Sequence, residues 1–185
     1  MPVNASERVF DTVAPEFNLL SVDQNYYSLE NLKGKHGTVI VFICNHCPYV
    51  ISIADRLSKE ARELNKEGIS TIAIMSNDPD QYSEDSYENM IIFSKKYNFD
   101  FQYLYDESQK VAKNYNAVCT PDFFGFDSSL RLKYRGRIDS AVMNKENPRI
   151  DRNLYDAMIQ IKKDGKAPIE QFNSFGCSIK WKNND

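Results

Sequence analysis

Cys44-Asn45-His46-Cys47 puts two cysteines at a two-residue spacing, directly after the apolar run of residues 38–43 and directly before Pro48. Two thiols so placed can open and close a disulfide. At the junction of a strand and a helix, the unpaired N–H groups of the first helical turn favour a thiolate. The sequence therefore points to thiol–disulfide redox chemistry, with Cys44 as the outer, attacking sulfur and Cys47 as the enclosed, resolving one. His46 lies between them. An imidazolium near Cys44 would stabilise its thiolate further and make the pair more oxidising.

Other readings of the same residues stay open. Free cysteines are often inert core residues. A closed zinc site needs four ligands, and Cys119 and Cys177 stand 58 positions apart, so no second close pair exists. Both could be additional thiols near the pair or simply packed side chains. Cys119-Thr120-Pro121 precedes a hairpin signal. A cis Thr120-Pro121 bond facing the pair would let the Thr120 backbone bind an extended substrate, and a plain turn proline is the alternative. His46 and Asp122 are the candidate proton acceptors for Cys47.

These residues need a scaffold, and periodicity supplies one. Residues 38–43 and 69–75 read as strands buried on both faces. Between them, residues 48–67 carry Val50, Ile51, Ala54, Leu57, Ala61 and Leu64 at helical spacing, with Pro48 tolerated in the first turn and Gly68 as a stop. A helix over 84–97, a strand over 101–105 and a short helix over 108–115 follow. A hairpin over 123–134 and a helix over 153–163 closed by Gly165 come next. Residues 166–185 read as a tail, and residues 14–33 as a lead-in of short strands and turns. The acid-rich stretch 78–88 reads as a solvated helix start. The pattern is α/β, a central mixed β-sheet flanked by helices, in one domain over 1–185, with a parallel crossover at its centre.

Composition agrees. The chain has 185 residues, 42% of them hydrophobic, and a formal net charge of −3, so no nucleic-acid or anionic-membrane partner is expected. Its first residues lack a charged start followed by an apolar stretch, and no run is long enough to span a bilayer. A cytoplasmic location is the expectation. Four cysteines in such a setting suit catalysis better than a structural framework.

The ordered segments Val41-Phe42-Ile43-Cys44-Asn45-His46-Cys47-Pro48-Tyr49-Val50, Ser76-Asn77-Asp78-Pro79, Tyr103-Leu104-Tyr105-Asp106-Glu107, Cys119-Thr120-Pro121-Asp122-Phe123-Phe124, Tyr134-Arg135-Gly136-Arg137-Ile138-Asp139 and Gly176-Cys177-Ser178-Ile179-Lys180-Trp181 resemble the thioredoxin-like superfamily. Within it they are similar to the redoxin (AhpC/TSA-like) branch, and more closely to bacterial thioredoxin-family proteins. The resemblance implies a thioredoxin-like fold with a redoxin-type N-terminal extension. It implies Cys44 as nucleophile, Cys47 as resolving thiol, Pro121 as a cis-proline, and Asn45 and Thr120 as substrate contacts. The substrate would be a protein or small-molecule disulfide served by a separate reducing partner, with no cofactor and no metal. Ile43 and Asn45-His46 replace the Trp and Gly-Pro of thioredoxins, and the inner His resembles more oxidising members. A peroxiredoxin-like thiol peroxidase is one alternative. Peroxiredoxins carry P-x-x-x-T-x-x-C, and here Gly37 and Val41 occupy the Pro and Thr positions; valine donates no hydrogen bond. A copper-binding protein using both thiols and His46 is the other alternative.

Overall fold

The computed structural model describes residues 2–4, 9–143 and 150–183. At its centre β4 (Gly37–Phe42) is buried along its whole length. Its side chains alternate between two cores. Val39 and Val41, followed by Ile43, enter one core; Ile40 and Phe42 enter the other. A strand with apolar residues on both faces must lie inside a sheet covered on both sides, and this one does.

The first core is covered by α2 (Pro48–Lys66), α3 (Tyr87–Lys96) and α5 (Asn153–Asp164). The second is covered by α1 (Leu29–Leu32) and α4 (Lys110–Asn114). Along α2 the buried stripe runs Val50, Ile53, Ala54, Leu57, Ala61 and Leu64. Ile51, expected on that stripe, is 38% exposed. Ile53 takes the place instead, because it stands three residues from Val50 and four from Leu57.

Among the described residues the main sheet has seven strands. Its order is β3 (Tyr26–Ser28), β2 (Asn18–Ser21), β6 (Gln102–Tyr105), β5 (Ile69–Met75), β4, β8 (Asp122–Phe126) and β9 (Leu132–Gly136). β4 pairs β5 in parallel and β8 antiparallel; β5 pairs β6 in parallel. The crossover, the hairpin and the last helix thus match the expected α/β pattern. α5 ends at Gly165, whose φ of 71° is a conformation that favours glycine. α3 starts later than expected. Ser86 caps it by accepting from the Asn89 N–H, and Ser83–Asp85 tighten into a separate 3₁₀ turn.

The segment expected to be a simple tail contains a strand, β10 (Phe175–Ser178). It lies antiparallel between β1 (Pro2–Asn4) and β7 (Cys119–Thr120) in a small second sheet. Farther on, the Lys180 and Lys182 N–H groups donate to Asn77 Oδ1 and Gln109 Oε1, and Lys180 O accepts from the Asp78 N–H. Among the described residues no helix is long and apolar enough to cross a membrane.

Candidate active site

The β4–β5 ladder continues one residue past β4, where the Ile43 N–H donates to Ile74 O at 3.0 Å. Cys44 is therefore held rigidly at a strand end, and Cys47 is the N-cap of α2. Thr120-Pro121 is cis and faces the pair. Cys44 Sγ lies 3.3 Å from the Thr120 hydroxyl, and the Cys47 thiol donates to Thr120 O, also at 3.3 Å. Each sulfur is close enough to the other to shift its titration. Both cysteines are 0% exposed, which differs from the expected arrangement of one outer and one inner thiol.

A residue outside the expected set organises the motif. Asp85, at the end of the 3₁₀ turn, is wholly buried. It accepts hydrogen bonds from the Asn45 N–H (2.8 Å), the His46 N–H (3.3 Å), Asn77 Nδ2 (2.7 Å) and His46 Nδ1 (2.7 Å). A carboxylate only accepts, so His46 carries its proton on Nδ1. The imidazole also stacks on Tyr82, with ring planes 7° apart. The Asn45 side chain is committed inward, donating to Glu84 O and accepting from the Tyr103 hydroxyl at 2.9 Å. Asn45 thus braces the loop, and the structure does not present its amide to a substrate. The stretch expected to be a solvated helix start supplies the buried anchor of the motif.

This arrangement changes where negative charge is favoured. Cys44 is raised well above the ordinary thiol range, by its hydrogen bond to Cys47, then by burial, then by the Asp85 charge; the Thr120 hydroxyl opposes these. Cys47 is lowered to about 5, chiefly by the hydrogen bond from Cys44. Burial opposes that, and the Cys177 thiol with the Val50 and Cys177 N–H groups adds to it. Cys47 makes no side-chain capping hydrogen bond, and the Val50 N–H of the first helical turn acts on it at longer range. The buried Asp85 carboxylate, which binds His46 and faces Cys44, thus opposes a thiolate on Cys44, where an imidazolium was expected to favour one, while the helix start faces Cys47.

The donor atoms of Cys44, His46 and Asp85 lie within 4.8 Å of one another. They are a three-membered set whose His46 Nδ1 is already spent on Asp85, short of the four ligands of a closed zinc site. Asp122, a candidate proton acceptor, is instead locked 2.8 Å from Arg135, both being buried. Cys119 is wholly buried, with Sγ 4.0 Å from Pro121 O, and burial raises its thiol; it packs as a small core residue.

Thr120 was expected to offer its backbone to a substrate, but β10 occupies that edge. Cys177 is opposite Thr120, and the Ile179 N–H donates to Val118 O at 3.0 Å. Antiparallel alternation then makes Cys177 and Thr120 a hydrogen-bonded pair. A Cβ on Gly176 would stand 2.0 Å from Thr120 O, so only glycine permits this approach. Beside Pro121 a cavity of about 190 Å³ is lined by Tyr49, Ile53, Ile138 and Phe175 among others. Asp85 and β10 were missed because neither has a local signal. One clue to Asp85 was available: Ser76-Asn77 leave β5 beside the end of β4, and side chains at adjacent parallel strand ends converge.

Residues 11–135 match the AhpC/TSA family. The structure superposes on an uncharacterized conserved protein from Geobacillus kaustophilus with a TM-score of 0.94 and 41% identity, covering 100% of this chain and 98% of that one. A hypothetical protein from Sinorhizobium meliloti 1021 gives 0.92 and 34%, covering 98% and 99%. A thiol:disulfide interchange protein of the thioredoxin family from Chlorobium tepidum TLS gives 0.61 and 18%, covering 85% and 99%; it shares the thioredoxin-like fold. No curated protein matches this chain.

Proposed function

This chain belongs to the AhpC/TSA family, and we propose that its activity is thiol–disulfide exchange carried by Cys44 and Cys47. The observation that carries the reading is the pair itself, both sulfurs 3.3 Å from Thr120 and set between a strand end, a helix start and the cis Thr120-Pro121 bond. A pair that shares one proton has a built-in base. Cys44 hands its proton to the Cys47 thiolate and attacks one sulfur of the substrate disulfide. A Cys44–substrate bond forms, the substrate S–S bond breaks, and one substrate thiolate leaves. Cys47 then attacks Cys44 Sγ, and its proton goes to the second departing sulfur. The products are a Cys44–Cys47 disulfide and two reduced substrate sulfurs.

Asp85 and His46 position the loop and set the charge felt by Cys44. The apolar cavity beside Pro121 suits a hydrophobic side chain next to the substrate disulfide, which favours an unfolded or extended peptide. Val41, at the position of the peroxiredoxin threonine, is buried in the core and offers no hydroxyl.

Reduced protein is mixed separately with oxidised glutathione, with insulin and with hydrogen peroxide. The disulfides are expected to consume two protein thiols and leave a Cys44–Cys47 linkage on peptide mapping. Cys44→Ser and Cys47→Ser are each expected to abolish turnover. Full disulfide-exchange activity in either variant sinks the reading, and rapid peroxide consumption with no disulfide exchange replaces it with a peroxidase.

A further inference from the structure

Cys177 is the one remaining thiol that touches the pair. It sits on β10 directly opposite Thr120, whose carbonyl accepts from Cys47 and whose hydroxyl meets Cys44. It packs against the core cluster that contains Cys47, and each of the two sulfurs shifts the other's titration. It is half-buried, whereas Cys44 and Cys47 are fully enclosed. The segment bearing it is tied down along its length. Ser174 Oγ donates to Gly136 O, the Ile179 N–H to Val118 O and the Lys180 N–H to Asn77 Oδ1. Gly176 allows the strand to lie closer to Thr120 than any other residue would. A strand held this firmly, with its sulfur against the resolving thiol, is placed as a disulfide-exchange partner would be.

We propose that Cys177 is a third redox thiol, which takes over the disulfide from the buried pair and presents it to an external dithiol. The proposal rests on the exchange activity put forward above. Cys177 attacks Cys47 Sγ; a Cys47–Cys177 bond forms and the Cys44–Cys47 bond breaks. The electron pair of the broken bond stays on Cys44, which takes the proton from Cys177, so this step is redox-neutral. An external dithiol then attacks the half-buried Cys177 sulfur and expels Cys47. Its second thiol attacks the mixed disulfide and frees Cys177. The reductant leaves as a disulfide, having supplied two electrons. Cys47, at the N-terminus of α2, is the leaving group of that step, and thiols of lower pKa leave faster. Burial raises the Cys177 thiol and Cys47 adds to this; in the oxidised pair Cys47 carries no charge, so that second contribution is reduced.

The test uses the full chain and oxidised glutathione. In Cys44→Ser, which has lost turnover, prolonged single-round oxidation is expected to give an intramolecular Cys47–Cys177 disulfide on peptide mapping. In Cys177→Ser, the Cys44–Cys47 disulfide is still expected to form, while its reduction by dithiothreitol slows by about tenfold or more. Glutathione adducts alone or a Cys47–Cys119 linkage in Cys44→Ser, or unchanged reduction kinetics in folded Cys177→Ser, overturn the relay and leave the underlying exchange reading intact. A wild type that forms neither Cys44–Cys47 nor Cys47–Cys177 overturns both, and is told apart by that mapping. Cys177→Ala, checked for an unchanged melting temperature, repeats the kinetic arm without a hydroxyl near Cys47.

Discussion

Replacing Asp85 by Asn tests the electrostatics of the site most directly. The Asp85 carboxylate and Cys44 Sγ lie within 4.8 Å of each other. At an effective dielectric of about 20, two unit charges at that distance repel by about 3.5 kcal/mol, or about 2.5 pH units. His46, hydrogen-bonded to the carboxylate at 2.7 Å, offsets part of this, so about one to two units remain. The measurement belongs in a Cys47→Ser background, where Cys44 titrates without its coupled neighbour. Asp85→Asn is expected to lower the Cys44 pKa by that amount and to speed its alkylation by iodoacetamide near neutral pH. His46→Ala, which leaves the carboxylate without its imidazole partner, is expected to do the opposite. Opposite signs separate a charge effect from general damage to the loop. Asp85→Asn also loses charge-assisted hydrogen bonds and should cost about 1.5–3 kcal/mol of stability, so both variants are first checked by thermal melting. A Cys44 pKa that stays put or rises in folded Asp85→Asn refutes the reasoning.

Other outcomes follow from the same geometry. Reduced wild type should lose one thiolate equivalent of 240 nm absorbance as pH falls through about 5, and Cys47→Ser should show no such step. With one proton taken up per two electrons, the pair's potential should fall by about 30 mV per pH unit above that point and about twice as steeply below it. Gly176→Ala forces a Cβ to within 2.0 Å of Thr120 O, so β10 must shift; about 1–3 kcal/mol of stability should be lost and Cys47 alkylation should accelerate. Arg135→Met removes the guanidinium paired with the buried Asp122 carboxylate and should cost about 3–5 kcal/mol in chemical denaturation, with Asp122→Asn recovering part of the loss. A fully additive double variant would argue against that pairing.

Much of the scaffold was legible in the sequence because its signals are local. Apolar runs marked β4 and β5, helical spacing marked most of α2, and Gly165 marked the end of α5. Even there, the choice between Ile51 and Ile53 was settled by the direction in which α2 faces the sheet. The motif itself announced redox chemistry, and Thr120-Pro121 read as the turn opposite it. The charge pattern within the motif was not legible. It depends on Asp85, 40 residues from Asn45, entering the loop as a buried acceptor. An acid among other acids gives no sign that it will be buried.

The tail shows the same division. Residues 166–185 have no strong periodicity, yet β10 completes the site from 57 positions beyond Thr120. The sequence by itself determined that two thiols stand together at a strand–helix junction, since covalent spacing and periodicity suffice for that. Only the tertiary structure decided which carboxylate faces the pair, what encloses it and which third thiol lies near it. Those properties arise from fields and contacts between segments far apart in the chain, and they come into being only when the segments pack.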